Sequence, residues 1–243
     1  MIDLQKLEIA AGAPVPVALA VPKLLRYLKE HGTADVPHSN TYFLSHLTGV
    51  YRILQGWSFA EHVAVAGLFH SIYGTNAFSG FGLGLDHRPE IRNLIGDEAE
   101  RLVYAYCALT NQSLRRCVQA RAKAKFDRAE LASVEAEEGA PELWDRFADC
   151  PLIISNHEFN QLLWIRLADI LEQDARWVKL RLPEFTAGLA YDWRIIAETL
   201  GPEAIAQWDA LYAGQEQRLW LLSLRRYVRS RLDRILVRFF KKN

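Results

Sequence analysis

Apolar residues recur at helical spacing along most of this chain, and the strict alternation of a half-buried strand is scarce. The pattern predicts a first helix over 17–30, closed by His31-Gly32, and a second over 40–55. In the second, Tyr42, Phe43, His46, Leu47, Val50, Ile53 and Leu54 share one broad face, and Gly56 breaks it. Ser58, with Glu61 three residues on, reads as a capping box. It would open a third helix whose stripe holds Phe59, Val63, Ala66, His70 and Tyr73. The glycine-rich loop 74–86 follows a helix and lacks the lysine of a phosphate-binding loop, so it reads as a connector or a substrate-contacting lid.

A long helix over 89–109 should be interrupted near Gly96-Asp97, and 113–138 reads as a charged helix ending at Gly139-Ala140-Pro141. Ser155 and Glu158 form another capping box, opening a helix that runs to about residue 180. Pro183 and Gly188 mark a break, a helix spans 189–200, and Gly201-Pro202 ends it before further helices over 203–241. The fold class expected is all-α. It divides into a helical cap over 1–35, a central domain over 36–182 and a C-terminal helical extension over 183–243.

Composition narrows the class without naming a function. The chain has 243 residues, half of them apolar and about a quarter charged, which suits a globule with a sizeable core. Lysine plus arginine equals aspartate plus glutamate, so overall charge points to no nucleic-acid partner. The balance is uneven, because Arg225 to Asn243 carries eight basic residues against one acid, Asp233. That amphipathic tail either packs on its own domain or contacts an acidic partner or an anionic membrane surface. Cys107, Cys117 and Cys150 form no CxxC and read as reduced thiols. With no signal peptide and no apolar run long enough to span a bilayer, a cytoplasmic location is expected.

The chemistry worth weighing lies on three apolar helices. His46 and His70 sit on apolar faces, where a lone histidine is most often a core residue with a backbone or hydroxyl partner. Asp169 lies inside LLWIRLADILEQ, with Arg166, Glu172 and Gln173 at helical spacing. It is either one member of a solvated Arg166–Asp169 pair or a metal ligand in the wall of a polar pocket. Two imidazoles and a carboxylate suit manganese, iron or zinc and leave positions open for water. The same ligands also suit a non-haem iron oxygenase. His157 and His62 read as surface residues, and His87, beside Arg88 and Arg92, reads as part of a helix-start cluster or a second ion or phosphate site.

Three segments in order, SNTYFLSHLTGV (39–50), GLFHSIYGT (67–75) and IRLADILEQDARW (165–177), resemble the HD-domain superfamily of helical metal phosphohydrolases. The likeness is strongest to the hydrolase domain of the stringent-response alarmone enzymes, whose motifs are an SGEPY-like stretch before the first His, an HD pair ending in an EDT-like run, and KLADRLHNMR. RNLIGDEAERLVYAYC (92–107) resembles the intervening helix of that family, and the resemblance covers roughly 38–178. It implies an HD-type domain in which His46, His70 and Asp169 hold a divalent metal, manganese or iron. Gln173 stands for a substrate-contacting Asn, and His38 lies near the position of an Arg that stacks on a base.

The HD aspartate is replaced by Ser71, and IYGT lacks the acidic pair that activates water in alarmone hydrolysis. HSIYGT also resembles a bacterial group of uncharacterised HD-like proteins that share this substitution. The expected function is a metal-dependent hydrolase of a small phosphorylated or nucleotide-like substrate. Ser71 and Tyr73 would then be catalytic, and His38, Thr75, Arg88, Arg166 and Gln173 would line the pocket. The rival from another class is a catalytically silent HD-like module that binds a nucleotide or a partner through the same pocket.

Overall fold

The computed structural model describes residues 17–38, 41–130, 141–179 and 193–213. Among the described residues it is mostly helical, as the all-α class expected from the sequence requires, with two short antiparallel ribbons. Helix α1 (Val17–Glu30) buries Leu24, Tyr27 and Leu28, one stripe at three- and four-residue spacing. A two-residue ribbon, β1 (Pro37–His38) with β2 (Thr41–Tyr42), leads into α2 (Phe43–Gly56). Helix α2 therefore starts three residues later than the expected residue 40, because 41–42 pair as strand. On α2, Phe43, His46, Leu47, Val50, Tyr51 and Leu54 face inward.

The capping box expected at Ser58 does not form. Ser58 adopts φ 59° and its N–H bonds the carbonyl of Gln55, while Phe59 N–H bonds that of Leu54. This pair of bonds closes the end of α2 in a Schellman motif, so Ser58 terminates one helix and cannot also open the next. Helix α3 (Glu61–Phe69) starts after Ala60, and every residue from Val63 to Phe69 is buried. An all-round apolar helix of this kind belongs in the centre of a domain, and α3 packs against α2 and against the helices over Asp97–Ala108 and Asn156–Lys179. Gly67 makes the α2 contact possible, since a Cβ there would lie 2.3 Å from Leu54 Cδ1. The helix ends at Phe69, earlier than the stripe through Tyr73 predicts, and residues 70–73 form turns.

The glycine-rich loop folds back on the core. Leu83 N–H bonds Ile72 O, and the rings of Phe78 and Phe81 pack 5.1 and 5.3 Å from Phe43. A 3-10 turn (Leu85–His87) leads into α4 (Arg88–Ile95), and Gly96 separates it from α5 (Asp97–Ala108), as the pattern predicted. Helix α6 (Asn111–Glu130) and an unexpected ribbon, β3 (Leu143–Asp145) with β4 (Cys150–Leu152), precede α7 (Asn156–Lys179).

The capping box at α7 is present. Ser155 Oγ accepts from Glu158 N–H at 3.1 Å, and Glu158 Oε2 accepts from Ser155 N–H at 2.8 Å. Two further helical stretches, α8 (193–200) and α9 (Pro202–Tyr212), pack with the same core through Trp193, Ile196, Ala204, Trp208 and Tyr212. Burying side chains of this size contributes about 1.5–3 kcal/mol each. The three cysteines are free thiols, as expected. Among the described residues no helix is long and apolar enough to cross a membrane. The basic tail, the break at 183–188 and the helix end at 139–140 lie outside the described residues.

Candidate metal centre

Three side chains from three helices meet at the centre of the fold. His46 projects from the buried face of α2, His70 follows the last residue of α3, and Asp169 lies mid-way along α7. Each is at most 4% exposed. His46 Nε2 is 3.3 Å from His70 Nε2 and 3.2 Å from Asp169 Oδ1, and His70 Nε2 is 3.7 Å from the same oxygen. A cation about 2.1 Å from each ligand holds its ligands roughly 3.0 Å apart at octahedral angles and roughly 3.4 Å apart at tetrahedral ones. Two of the observed separations fall within that range and the third, His70 to Asp169, is about 0.3 Å longer.

The opposite edge of each ring fixes what faces the centre. His70 Nδ1 is 2.8 Å from Gly67 O, which can only accept, so Nδ1 carries the proton and Nε2 keeps its lone pair. His46 Nδ1 is 2.5 Å from Glu172 Oε2, and that carboxylate orients the second imidazole in the same way. Two lone pairs and a carboxylate oxygen then converge without a proton between them. Three acceptors so close repel one another unless a cation, either a proton on one imidazole or a metal ion, sits among them. The donor set therefore fits a divalent metal.

The pKa shifts follow this arrangement. Burial pulls His70 down to about 4 against the attraction of Asp169, favouring the neutral ring a metal requires. Burial works to raise Asp169, yet the His46 contact and the neighbouring His70 and Arg166 hold it well below the usual carboxylate range. Its oxygens are also fully engaged. Tyr106 donates to Oδ2 at 2.5 Å, Arg166 to Oδ2 at 3.1 Å and Gln173 to Oδ1 at 2.6 Å.

A cavity of about 390 Å³ opens beside His46 and Asp169. Its walls include His38, Ser71, Thr75, Arg166 and Gln173, five of the expected site residues. The β1–β2 ribbon sets His38, whose ring centre lies 4.5 Å from those of both His46 and Phe78. Thr75 Oγ1 accepts from Phe78 N–H at 3.0 Å and pins the start of the glycine loop. Arg166 donates to Tyr106 Oη at 2.9 Å and Asn111 Oδ1 at 3.2 Å, and lies 4.9 Å from the Trp193 ring.

Two expected site residues are not brought here. The Tyr73 hydroxyl donates to Glu100 Oε1 at 3.1 Å, and Arg88 forms a forked pair with Glu100 at 2.7 and 3.1 Å. Once the helix stops at Phe69, the turn swings Tyr73 off the His70 stripe. His62, expected on the surface, is half-buried with Nε2 2.9 Å from Gln161 Nε2, whereas His157 is exposed at the start of α7 as expected.

Four contributors were not assigned a role from the sequence. Tyr106 was hidden in an apolar helix with nothing at local spacing to mark it. Gly49 matters through what it lacks, since a Cβ there would lie 2.5–2.8 Å from three atoms of Glu172. Trp193 and Asp174 also line the cavity. Asp174 bonds the Tyr212 hydroxyl, and burial above all raises its carboxyl to about 6. The helical spacing of Arg166 and Gln173 about Asp169 was the local signal that pointed toward this wall.

Residues 27–111 match the model of a domain of unknown function, DUF6817, a stretch that holds His46 and His70 but stops short of Asp169. No curated protein matches the chain. A solved structure described as a metazoan ortholog of SpoT, which hydrolyzes ppGpp and plays a role in starvation responses, is similar at 17% identity. Its TM-score is 0.49, over 85% of this chain and 98% of that one.

Proposed function

We propose that this protein is a metal-dependent hydrolase of a small phosphorylated or nucleotide-like substrate. The observation that carries the reading is the buried convergence of His46 Nε2, His70 Nε2 and Asp169 Oδ1, each oriented from behind, at the edge of an open cavity. A divalent ion held there, manganese or iron, would act as a Lewis acid and make a nearby water a better nucleophile at neutral pH.

The chain's own residues supply the rest. Arg166 brings positive charge to the cavity wall, suited to a phosphate oxygen, and its position is fixed by Tyr106, Asn111 and Asp169. The His38, Phe78 and Trp193 rings give flat apolar surface for a base or sugar. Ser71, 6% exposed and in the cavity wall, would hold a water through its hydroxyl. Thr75 and Gln173 offer further polar contacts.

A silent binding module is the second reading, and one observation favours it. The described carboxyls lining the cavity are Asp169 and Asp174, and both are already engaged, one by three donors and two imidazoles and the other by Tyr212. A general base is therefore the scarce element. The test is metal analysis of wild type, His70→Ala and Asp169→Ala, followed by phosphate release from a panel of nucleotides reconstituted with manganese or iron. Metal near one equivalent, lost in both variants, with metal-dependent turnover supports the hydrolase. Metal-dependent nucleotide binding without turnover selects the module, and oxygen uptake with iron selects an oxygenase.

A further inference from the structure

A second group of ligating side chains lies away from the cavity. His31 follows the last residue of α1, His87 closes the 3-10 turn, and Glu90 sits in the first turn of α4. One ligand atom from each lies within 4.8 Å of the other two. The His31 and His87 ring centres are 5.8 Å apart at 87°, edge to face, and His87 Nδ1 lies 3.4 Å from Glu90 Oε2. We propose that His31, His87 and Glu90 form a separate, solvent-facing site for a borderline divalent cation such as zinc, clamping the end of α1 to the start of α4.

Three features argue for it. First, His31 Nδ1 is 2.8 Å from the carbonyl of Tyr27, which can only accept, so its Nε2 keeps the lone pair. A backbone acceptor behind a histidine is the usual way of orienting a metal-binding imidazole. Second, the Tyr27 ring packs 4.1 Å from the His31 ring, and its buried hydroxyl has no hydrogen-bond partner within bonding distance. That hydroxyl faces the Glu90 carboxylate, the acid that would bind the ion.

Third, the ligand types are right. Two imidazoles and one carboxylate, with a water completing a tetrahedron, suit zinc better than magnesium or calcium, which favour oxygen. Ligands of a tetrahedral zinc lie roughly 3.4 Å apart, so the group must contract on binding. His87 and Glu90 can move, because their side chains are 35% and 56% exposed. The site would join residues 31 and 87, far apart in sequence, and stabilise the fold by mass action when filled.

The test titrates zinc chloride into metal-free wild type, His87→Ala and Glu90→Gln by calorimetry, with thermal unfolding recorded with and without zinc. The expected result is that wild type binds one more equivalent than His87→Ala, and that Glu90→Gln weakens this event at least tenfold. Zinc should also raise the unfolding midpoint of wild type more than that of His87→Ala. Both variants change side chains partly or fully open to solvent, and metal-free melts that match wild type would show them folded. The readout is a difference between chains, so it holds whether or not the buried centre also fills. Equal zinc stoichiometry in wild type and His87→Ala overturns the proposal.

Discussion

Two buried acids in this protein are surrounded by polar side chains, and their surroundings ask for opposite things. Glu100, fully buried on α5, receives Arg88 through two bonds, Arg92 at 3.3 Å and the Tyr73 hydroxyl. Donors and positive charge meet the carboxylate in full, and nothing further is needed. Asp169 on α7 receives Tyr106, Arg166 and Gln173, but two imidazole lone pairs are also turned toward its Oδ1. That surplus of acceptors calls for a cation. Burial and a high density of polar groups are common to both places. The count of donors against acceptors is what separates a structural ion pair from a centre prepared for a metal.

The comparison can be broken by exchanging the losses. Glu100→Ala should cost about 3 kcal/mol of stability, since it leaves the Arg88 guanidinium and the buried Tyr73 hydroxyl without their acceptor. A urea titration checks the cost, and metal content per folded molecule should stay unchanged. Asp169→Ala should do the reverse, reducing metal uptake at the buried centre by more than about 100-fold, a larger loss than removing an orienting partner brings. Should Glu100→Ala, once folded, also lose its metal, the two acids would not be independent.

A finer probe is Gly49→Ala, where the new methyl would push Glu172 away from His46. Metal affinity should fall by about 10–100-fold. Little change in the thermal melt of the metal-free chain would show that the effect acts through the orientation of His46.

The smallest effect is in the pH dependence of metal-free stability. His70 is lowered to about 4, so between about pH 6.5 and 4 the unfolded chain binds a proton that the folded chain refuses, and stability falls as pH falls. Asp174 is raised to about 6, so between about pH 6 and 4 the folded chain holds a proton the unfolded chain releases, and stability rises as pH falls. The two oppose each other in wild type. Asp174→Asn should uncover the His70 slope, up to about 1.4 kcal/mol per pH unit, measured by denaturant titrations at pH 7, 6 and 5. A flat profile in that variant would count against a neutral, buried His70.

Much of this was legible in the residues. The helices α1, α2 and α4 to α7 follow the apolar period, and the Ser155–Glu158 box marks the start of α7 to the residue. Five expected pocket residues, His38, Ser71, Thr75, Arg166 and Gln173, do line one cavity. The failures share a cause. Ser58 carries the residue pattern of an N-cap, but its left-handed backbone already closes α2. Tyr73 lies on the projected stripe of α3 only if the helix continues past Phe69, and it does not. Arg88 looked free to meet a phosphate because Glu100, twelve residues away, gave no sign that it would be buried beside it.

By itself the sequence determined where the helices lie, which faces are apolar and which residue types could bind a metal, because period, capping and ligand chemistry are local properties. Tertiary structure decided which of those residues meet. His46 and Asp169 are 123 positions apart, and only the packing of α2 and α3 against α7 brings their ligand atoms to 3.2 Å. It also decided which buried acid would be satisfied by arginines and which would be left with lone pairs facing it. That depends on how side chains from distant segments are directed into one low-dielectric space, where each unmet donor or acceptor is costly.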